Sequence, residues 1–383
     1  MPAPTVTPEA ALLADALDLE ESQLAPIGRE PLGEGTVAGF RLPGEAEAYA
    51  YVDTSLLPVR EETGLALEGV ARIWMHPADP HLPALAPVAF GEALSILLAR
   101  LGVHSGGTPV LVAYRPGRRA VVRAAGDGEP VWVKVVRPRR VERIVELHTA
   151  FRSAGLPVPG VTGWAPDGIL VTAHASGTPA IDAAATGALA PELLLDRVDE
   201  LRARIAAAPF EGSARTSIAT RRGWYESRLR GIDTGIDVLL DEIPRDGGPT
   251  TSASVGVHGD LHLGQIFVDA GGQVTGLIDV DTAGVGHPAD DVAAFLGHTI
   301  ASATLSGADA STALWDVADA AAARWRDVPD SAPLSAAHLI GHALAAVDAG
   351  DRARARGLLR VAAALCDGRG EHKGALMNAF ELA

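Results

Sequence analysis

Residues 255–281, VGVHGDLHLGQIFVDAGGQVTGLIDVD, constrain the fold of this chain more than any other segment. Their apolar runs and Gly-rich turns are typical of short strands joined by tight loops. Residues 191–207 and 217–243 have the pattern of helices instead, and nearly all residues after 287 are Ala-rich and helical in pattern. The chain therefore sets a small β-ribbon into a helical second half.

The loops of this ribbon carry a set of oxygen donors. Two strands are expected to bring Asp260, Gln265 and Asp279 to the same end of the ribbon. Such a set suits Mg²⁺, which takes few protein ligands and completes its octahedron with water and phosphate oxygens. Gln265 also follows Asp260 at the spacing of the D-x-x-x-x-N catalytic loop of kinases, with Gln in place of Asn. The ribbon thus predicts a phosphoryl-transfer site.

A cation for nucleotide phosphates lies upstream, in a predicted sheet. Residues 110–136 contain three strand patterns, and Lys134 stands within the apolar strand VWVKVV, an unusual place for a solvated charge. The helix expected next carries Glu146, which can reach Lys134, and Glu142 one turn earlier is the competing partner. These residues and the ribbon follow one another in the order that a kinase requires.

Composition and charge exclude several other classes of protein. The 383 residues carry 32 Lys and Arg against 48 Asp and Glu, a net charge of −16, which argues against a coat for DNA or RNA. No stretch of about 18 uncharged apolar residues predicts a membrane span. The single Cys366 can form no internal disulfide, as expected in a reducing cytoplasm. We therefore expect a cytoplasmic globular enzyme with no nucleic-acid or membrane partner.

Two motifs resemble those of the aminoglycoside phosphotransferase/choline kinase superfamily. HGDLHLGQ is similar to the family's H-G-D-x-x-x-x-N loop, and IDVDTAGVGHPADDVA is similar to its I-D…G-x-P-x-x-D-L-A segment. The strand VKV and the later GLPVP add to the resemblance, which covers about residues 110 to 300 well. The loop with Gln is similar to that of maltokinases and related aminosugar kinases, which also carry an N-terminal cap.

The resemblance implies a protein-kinase-like, two-lobed α+β fold. Residues 1–106 would form the cap, 107–177 a small β-rich N-lobe with the hinge, and 178–383 a helical C-lobe. ATP and Mg²⁺ are the implied cofactors. The implied site residues are Asp260 as the base, Gln265 and Asp279 as Mg²⁺ ligands, Lys134 on the α/β-phosphates with Glu146 as its partner, Asp291 as a brace of the catalytic loop, and Thr172, Ala173, His174 and Ala175 as backbone contacts of adenine.

Three further residues have less defined roles. His258 is expected to pack and hydrogen-bond the loop rather than to catalyse, and His262 to lie at the rim of the acceptor pocket. Asp281 follows a predicted metal ligand by two residues and is either an acid behind the metal or a substrate contact.

The sequence also departs from its relatives in the first half. No G-x-G-x-x-G loop is present, and YRPGRR, residues 114–119, occupies the turn where it should be. A basic hairpin turn is the favoured interpretation, and phosphate binding through Arg118 or Arg119 is the alternative. The Pro-rich run at 76–87 is expected to be an irregular, rigid connector.

These patterns predict transfer of phosphate to a hydroxyl of a small polyhydroxylated metabolite: a sugar, an aminosugar or an aminoglycoside. The missing Gly-rich loop and Gln265 motivate one alternative, a catalytically inactive nucleotide-binding module that holds a protein partner. A protein kinase is disfavoured, because Gly259 replaces the Arg that senses a phosphorylated activation loop and no D-F-G or A-P-E follows Asp279.

Overall fold

A computed structural model describes residues 8–44, 47–126, 128–215, 218–244, 254–369 and 373–381. Over these residues the chain is a mixed α+β protein, with a β-rich N-terminal region and a helical C-terminal region. It divides into two compact units, residues 1–145 with 160–174, and residues 146–159 with 175–383. The expected cap, N-lobe and C-lobe divide the chain more finely, and that division stays a prediction.

The first unit contains two five-stranded antiparallel sheets, with strand orders β1-β2-β3-β5-β4 and β6-β7-β8-β10-β9. Its strands are β1 (Ala25–Leu32), β2 (Gly35–Arg41), β3 (Tyr49–Asp53), β4 (Leu65–Leu67), β5 (Ala71–Met75), β6 (Val110–Arg115), β7 (Arg119–Ala124), β8 (Val131–Val136), β9 (Val161–Ala165) and β10 (Ile169–Thr172). Its helices are α1 (Pro8–Leu17), α2 (Leu85–Ala89) and α3 (Gly91–Arg100), and α4 (Pro138–Ser153) begins here and ends in the second unit.

Strand β8 shows why this sequence makes a sheet. Val133 and Val135 alternate along it and are buried in a core that α2 and α3 share. Lys134 lies on the opposite face, half-buried, in register with Val121 of β7 and Leu170 of β10. The three strands predicted for residues 110–136 are therefore confirmed, with Lys134 in the central strand of the sheet.

The second unit is mostly helical and holds two small antiparallel sheets, β11-β13-β14 and β12-β15. Its strands are β11 (Thr178–Pro179), β12 (Val255–Val257), β13 (Ile266–Val268), β14 (Val274–Leu277) and β15 (Gly284–Gly286). Its helices are α5 (Ala180–Ala185), α6 (Pro191–Ala206), α7 (Ala219–Leu229), α8 (Thr234–Glu242), α9 (Asp290–Ala303), α10 (Ala308–Trp325), α11 (Ser331–Asp348), α12 (Arg352–Cys366) and α13 (Ala375–Glu381). Among the described helices, none is both long and apolar enough to cross a membrane.

Helix α9 is the centre of the second unit. Almost all of its residues are buried, as expected for a helix that is apolar around its whole circumference. A side chain at Gly297 would lie 2.5 Å from Cβ of His338, so only glycine allows α11 to approach α9 this closely. Small residues thus set the spacing of the helices that surround the ribbon.

Two details of this region were not specified by the sequence pattern. The helical stretch expected at 217–243 is confirmed over its described residues, 218–243, as two helices, because Gly231 has a left-handed backbone (φ +78°) and Asp233 caps α8 through the N–H groups of Gly235 and Ile236. Strand β12, which leads to Asp260, pairs with β15 and not with the β13–β14 ribbon. The catalytic loop therefore bridges two sheets.

Candidate active site

The ribbon brings two of the predicted metal ligands to one end. Gln265 directly precedes β13, Asp279 follows the end of β14, and Ile266 pairs with Leu277 across the ribbon. The N–H of Ile278 donates to the carbonyl oxygen of Gln265 at 3.0 Å. The end of one strand and the start of the other are thus fixed side by side.

A buried carboxylate holds the start of the loop formed by residues 258–265, which is the predicted catalytic loop. Oδ2 of Asp291 accepts the N–H of His258 at 2.9 Å, and Oδ1 accepts the N–H of Gly259 at 2.7 Å. Burial raises the pKa of Asp291, against the opposing effect of His258 and of these two hydrogen bonds. Gly259 has φ +82°, and a Cβ there would lie 2.8 Å from the carbonyl oxygen of Thr282. The loop therefore requires glycine at this position and an acceptor at Asp291.

His258 ties the loop to the segment that follows β14. Its Nε2 lies 3.1 Å from the carbonyl oxygen of Ile278, and its ring packs edge-on against Phe151 at 6.3 Å. The hydroxyl of Thr282 donates to the carbonyl oxygen of His258 at 2.8 Å. The ring is fully buried. This environment supports the expected packing role for His258.

Asp260 directly follows the anchored start of this loop and lies beside a histidine of α9. Its Oδ1 lies 3.4 Å from Nε2 of His298. Burial would raise the pKa of Asp260, but the hydrogen bond and charge of His298, with smaller effects of His262 and His338, lower the pKa to about 2. The carboxylate is therefore ionised at neutral pH and able to accept a proton or a cation.

Gln265 provides an oxygen that needs a partner. The residue is 4% exposed, and its Oε1 has no hydrogen-bond partner among the described residues. An unpaired buried amide oxygen is costly, since its desolvation is not repaid. Asp279, in the left-handed region at φ +61°, supplies a carboxylate at the same end of the ribbon. An amide and a carboxylate oxygen fit Mg²⁺, which prefers hard oxygen ligands and keeps several waters.

The charges of both acids of the site, Asp260 and Asp279, act on His262. Desolvation and the charge of His298 lower its pKa to about 4, while the charges of Asp260 and Asp279 oppose that change. Its Nδ1 accepts the N–H of Gly264 at 3.2 Å, and its ring centroid is 4.5 Å from that of His298. Asp281 follows Asp279 by two residues and lies in the 3₁₀ turn Val280–Thr282, and its role stays a prediction.

Sequence reasoning missed three histidines of this site. His298 follows Asp291 by two helical turns on α9, and His338 and His342 are one turn apart on α11. The rings of His338 and His342 lie edge-on to His298, with centroids 5.5 and 4.8 Å away. The seven-residue spacing from Asp291 was the available signal, since it places His298 on the helix face that contacts the loop.

The remaining predicted site residues lie elsewhere along the chain. Lys134 and Thr172–His174 belong to the first unit, whereas Glu146 and Ala175 belong to the second. Glu146 and Glu142 are both exposed on α4, and which of them pairs with Lys134 stays a prediction.

In the predicted hinge, residues 172–175, the backbone N–H of Ala173 is already engaged within the protein. The N–H of Ala173 donates to the carbonyl oxygen of Gly160 at 2.9 Å, and Nδ1 of His174 accepts the indole N–H of Trp132 at 3.0 Å. Adenine contacts would therefore have to use other groups of residues 172–175.

The YRPGRR turn is held by neighbouring groups of the first unit. The N–H of Gly117 donates to Oδ2 of Asp79 at 2.7 Å, and its carbonyl oxygen accepts Nε of Arg137 at 2.6 Å. Arg115 pairs with Glu30 at 3.1 Å, and Arg118 donates to the carbonyl oxygen of Pro31. These contacts favour a basic hairpin turn over a phosphate-binding loop.

Comparisons with known proteins give matches for the family and for the fold. Residues 65–358 match the model of the phosphotransferase enzyme family. A thermostable mutant of aminoglycoside phosphotransferase APH(4)-Ia in its apo form has a similar fold, with a TM-score of 0.51 at 17% identity, over 70% of this chain and 97% of that one. A comparison with curated protein sequences gives no significant match.

Two other structures resemble the chain more weakly. Aminoglycoside-3'-phosphotransferase of type VIII aligns with a TM-score of 0.44 at 23% identity, over 66% of this chain and 97% of that one. Macrolide 2'-phosphotransferase MphH from Brachybacterium faecium aligns with a TM-score of 0.42 at 18% identity, over 70% and 97% of the two chains.

Proposed function

Because the chain belongs to the phosphotransferase enzyme family, we propose that it transfers the γ-phosphate of ATP to a hydroxyl of a small polyhydroxylated metabolite. The acceptor classes are a sugar, an aminosugar or an aminoglycoside. One observation carries the proposal: the ionised carboxylate of Asp260 and the buried Oε1 of Gln265, which has no hydrogen-bond partner among the described residues, belong to one loop, residues 258–265, whose start is fixed by Asp291.

Asp260 is the proposed general base. A lowered pKa keeps its carboxylate free of a proton at neutral pH, so it can accept the proton of the attacking hydroxyl. The new O–P bond forms as the bond from the γ-phosphorus to the β-phosphate oxygen breaks, and ADP leaves. His298 keeps Asp260 ionised and holds one of its oxygens. Asp291 fixes the backbone from which Asp260 projects.

Gln265 and Asp279 would hold Mg²⁺. Bound Mg²⁺ would neutralise the charge of the phosphate oxygens. Lys134, half-buried in the central strand of its sheet, is proposed to contact the α/β-phosphates, with Glu146 orienting it. Residues 172–175 are the proposed adenine contacts.

Substitution of the base tests the proposal most directly. Asp260→Asn keeps the shape of the side chain and removes its ability to take a proton, so turnover should fall by about 10²–10⁴-fold. Asp327→Asn is the matched control, because that side chain is 95% exposed and outside the site. Turnover would be followed as ADP release over a panel of acceptors with and without amino groups. Substantial turnover by the Asp260 variant would overturn the assignment.

One observation favours the inactive nucleotide-binding module instead. Both the N–H and the carbonyl of Gly117 are engaged within the protein, in the turn where related enzymes hold phosphate. A thermal-shift titration with MgATP distinguishes the two functions. Stabilisation by MgATP without transfer to any acceptor would support the module, and transfer that depends on Asp260 would exclude it.

A further inference from the structure

The cluster of Asp260, His262 and His298 has a donor set that magnesium does not use. One atom from each side chain can be chosen so that all three lie within 4.8 Å of one another. Two imidazole nitrogens and one carboxylate oxygen are typical ligands of Zn²⁺ and similar transition metals. Mg²⁺ prefers oxygen ligands such as those of Gln265 and Asp279. The two donor sets therefore select different cations.

We propose that Asp260, His262 and His298 form a site for a divalent transition metal such as Zn²⁺, separate from the magnesium ligands. Tetrahedral zinc with bonds of about 2.0–2.2 Å holds neighbouring ligand atoms about 3.4 Å apart. Oδ1 of Asp260 and Nε2 of His298 already stand 3.4 Å apart. Water would complete the coordination.

The packing around these side chains supports the site. The ring centroids of His262 and His298 lie 4.5 Å apart, and one nitrogen of each ring lies within 4.8 Å of a carboxylate oxygen of Asp260. The rings of His338 and His342 pack edge-on against His298, with centroids 5.5 and 4.8 Å away. These contacts hold the His298 ring beside Asp260.

Binding has a cost at His262. Its Nδ1 accepts a 3.2 Å hydrogen bond from Gly264, and ligation through either ring nitrogen gives up that bond, because a ligated ring keeps its proton on the other nitrogen. One long hydrogen bond on a half-buried loop is a small loss beside two metal–nitrogen bonds. The site is therefore preformed at Asp260 and His298 and completed by a local change at His262.

The metal would compete with catalysis. A cation bound to Oδ1 of Asp260 occupies the electron lone pair with which the proposed base would accept a proton. Zinc should therefore inhibit phosphate transfer. This consequence rests on the proposed function, whereas metal binding itself does not. A cation bound at this site would act as a reversible inhibitor of the enzyme.

Metal binding is measured on the full chain without nucleotide, by competition for Zn²⁺ with a chromophoric chelator. We expect one zinc per chain, retained in millimolar Mg²⁺. His262→Gln and His298→Gln should each weaken zinc binding more than about 10-fold, since even loss of a residue that only orients a ligand costs 10–100-fold. Cobalt gives a second readout, because four-coordinate Co²⁺ absorbs in the visible range and either variant should abolish that band.

Two control variants make the result decisive. Asp279→Asn removes a proposed magnesium ligand and a charge that acts on His262, so it should weaken zinc binding far less than either cluster variant. His104→Gln, at an exposed histidine of the first unit, should leave zinc affinity unchanged. Zinc binding that survives both cluster variants, or that is lost in Asp279→Asn, would overturn the site. If His298→Gln fails to fold, His262→Gln on the loop decides the question alone.

Activity measurements separate this proposal from the proposed function. Micromolar Zn²⁺ should lower turnover of the wild type and should affect His298→Gln at least 10-fold less. An enzyme with no activity in the absence of zinc would refute the proposed function, yet the chelator competition would still report the metal site. If the turnover of the wild type is unchanged in saturating zinc, the proposed overlap between the zinc site and the base Asp260 is wrong.

Discussion

Two turns of this chain, one in each compact unit, are built in the same way. In the first unit Gly117, with φ +67°, donates its N–H to Asp79 at 2.7 Å. In the second unit Gly259, with φ +82°, donates its N–H to Asp291 at 2.7 Å. The aspartates are 1% and 3% exposed, and burial raises the pKa of both. A left-handed glycine on a buried carboxylate is thus a general way to stiffen a turn.

The difference lies in what each turn presents. Both backbone groups of Gly117 are engaged within the protein, since Asp79 accepts its N–H and Arg137 donates to its carbonyl oxygen, and Tyr114 also donates to Asp79 at 2.9 Å. The turn at Gly259 instead leads to Asp260 and to a loop that ends at the unpartnered oxygen of Gln265. A rigid turn becomes a candidate site where it carries groups that still need a partner.

The largest effect on activity should come from matched substitutions of the two aspartates. In Asp291→Asn and Asp79→Asn the new amide can accept at one atom only, so one backbone N–H loses its acceptor, at about 1–3 kcal/mol of unfolding free energy. Both variants should denature at lower temperature. Only Asp291→Asn should also lower kcat/KM by about 10²-fold, because a displacement of 1 Å at the reacting groups costs that much.

Kinetics and thermal denaturation on both variants check this comparison. Asp291→Glu, which keeps the charge but moves the acceptors, should resemble Asp291→Asn in kinetics. Equal losses of activity in Asp79→Asn and Asp291→Asn would break the distinction and give the Gly117 turn a part in nucleotide binding.

Alanine substitutions of the two glycines should show the same contrast, with the larger loss of unfolding free energy at Gly259. Alanine at either position meets the left-handed penalty of about 1–2 kcal/mol. At Gly259 the new Cβ would also lie 2.8 Å from a backbone oxygen of Thr282, whereas at Gly117 it meets the mobile end of Leu32 at 2.8 Å. Denaturant unfolding should show a loss of at least about 3 kcal/mol for Gly259→Ala and about 1–2 for Gly117→Ala. Equal losses would mean that the loop backbone yields as easily as a side chain.

The sequence predicted the second turn far better than the first, for a physical reason. HGDLHLGQ places base and amide within eight residues, and Asp279 follows across one hairpin, so local spacing is enough to find them. Asp79 lies 38 residues before Gly117, in a Pro-rich run interpreted as a plain connector. No local pattern shows that a carboxylate in such a run will reach a distant turn.

The histidine cluster was missed because it depends on tertiary packing. His262, His298 and His338 come from a loop and two helices, and the close approach that Gly297 permits brings α11 to α9. Helical periodicity indicates which face a residue occupies but not which helix covers it. The fold class was confirmed because strand alternation and helix spacing are local, whereas the break between α7 and α8 within the helical stretch was not predicted.

The surroundings of the two turns should also differ in their response to acid. Desolvation lowers the pKa of His338 to about 3, so its ring stays neutral in the folded protein while the unfolded chain takes up a proton below pH 6.5. Stability from this group is therefore complete above pH 6.5 and falls with pH, by up to about 1.4 kcal/mol per pH unit. Aspartates with raised pKa values change stability with pH in the opposite sense. The contribution of His338 is therefore found by comparing a His338→Gln variant with the wild type at each pH.

His338→Gln should flatten the pH dependence of the denaturation midpoint between pH 7 and 5. His104→Gln, at an exposed histidine of the first unit, should keep the slope of the wild type. If His338→Gln and the wild type lose stability in parallel, the ring does not titrate as its environment indicates.

The smallest effect is expected at Tyr114. Tyr114→Phe removes the hydroxyl that donates to Asp79 at 2.9 Å, yet Asp79 still accepts the N–H groups of Gly117 and His81. The phenylalanine ring can keep the edge-on contact with Tyr51 at 5.3 Å. The change also removes the long 3.4 Å hydrogen bond that the buried indole N–H of Trp74 donates to the Tyr114 hydroxyl. Loss of these two hydrogen bonds should cost about 1–1.5 kcal/mol in denaturant unfolding. Turnover should be unchanged, because the backbone of the turn stays anchored, and a loss of turnover here would show that the first turn also carries groups the reaction needs.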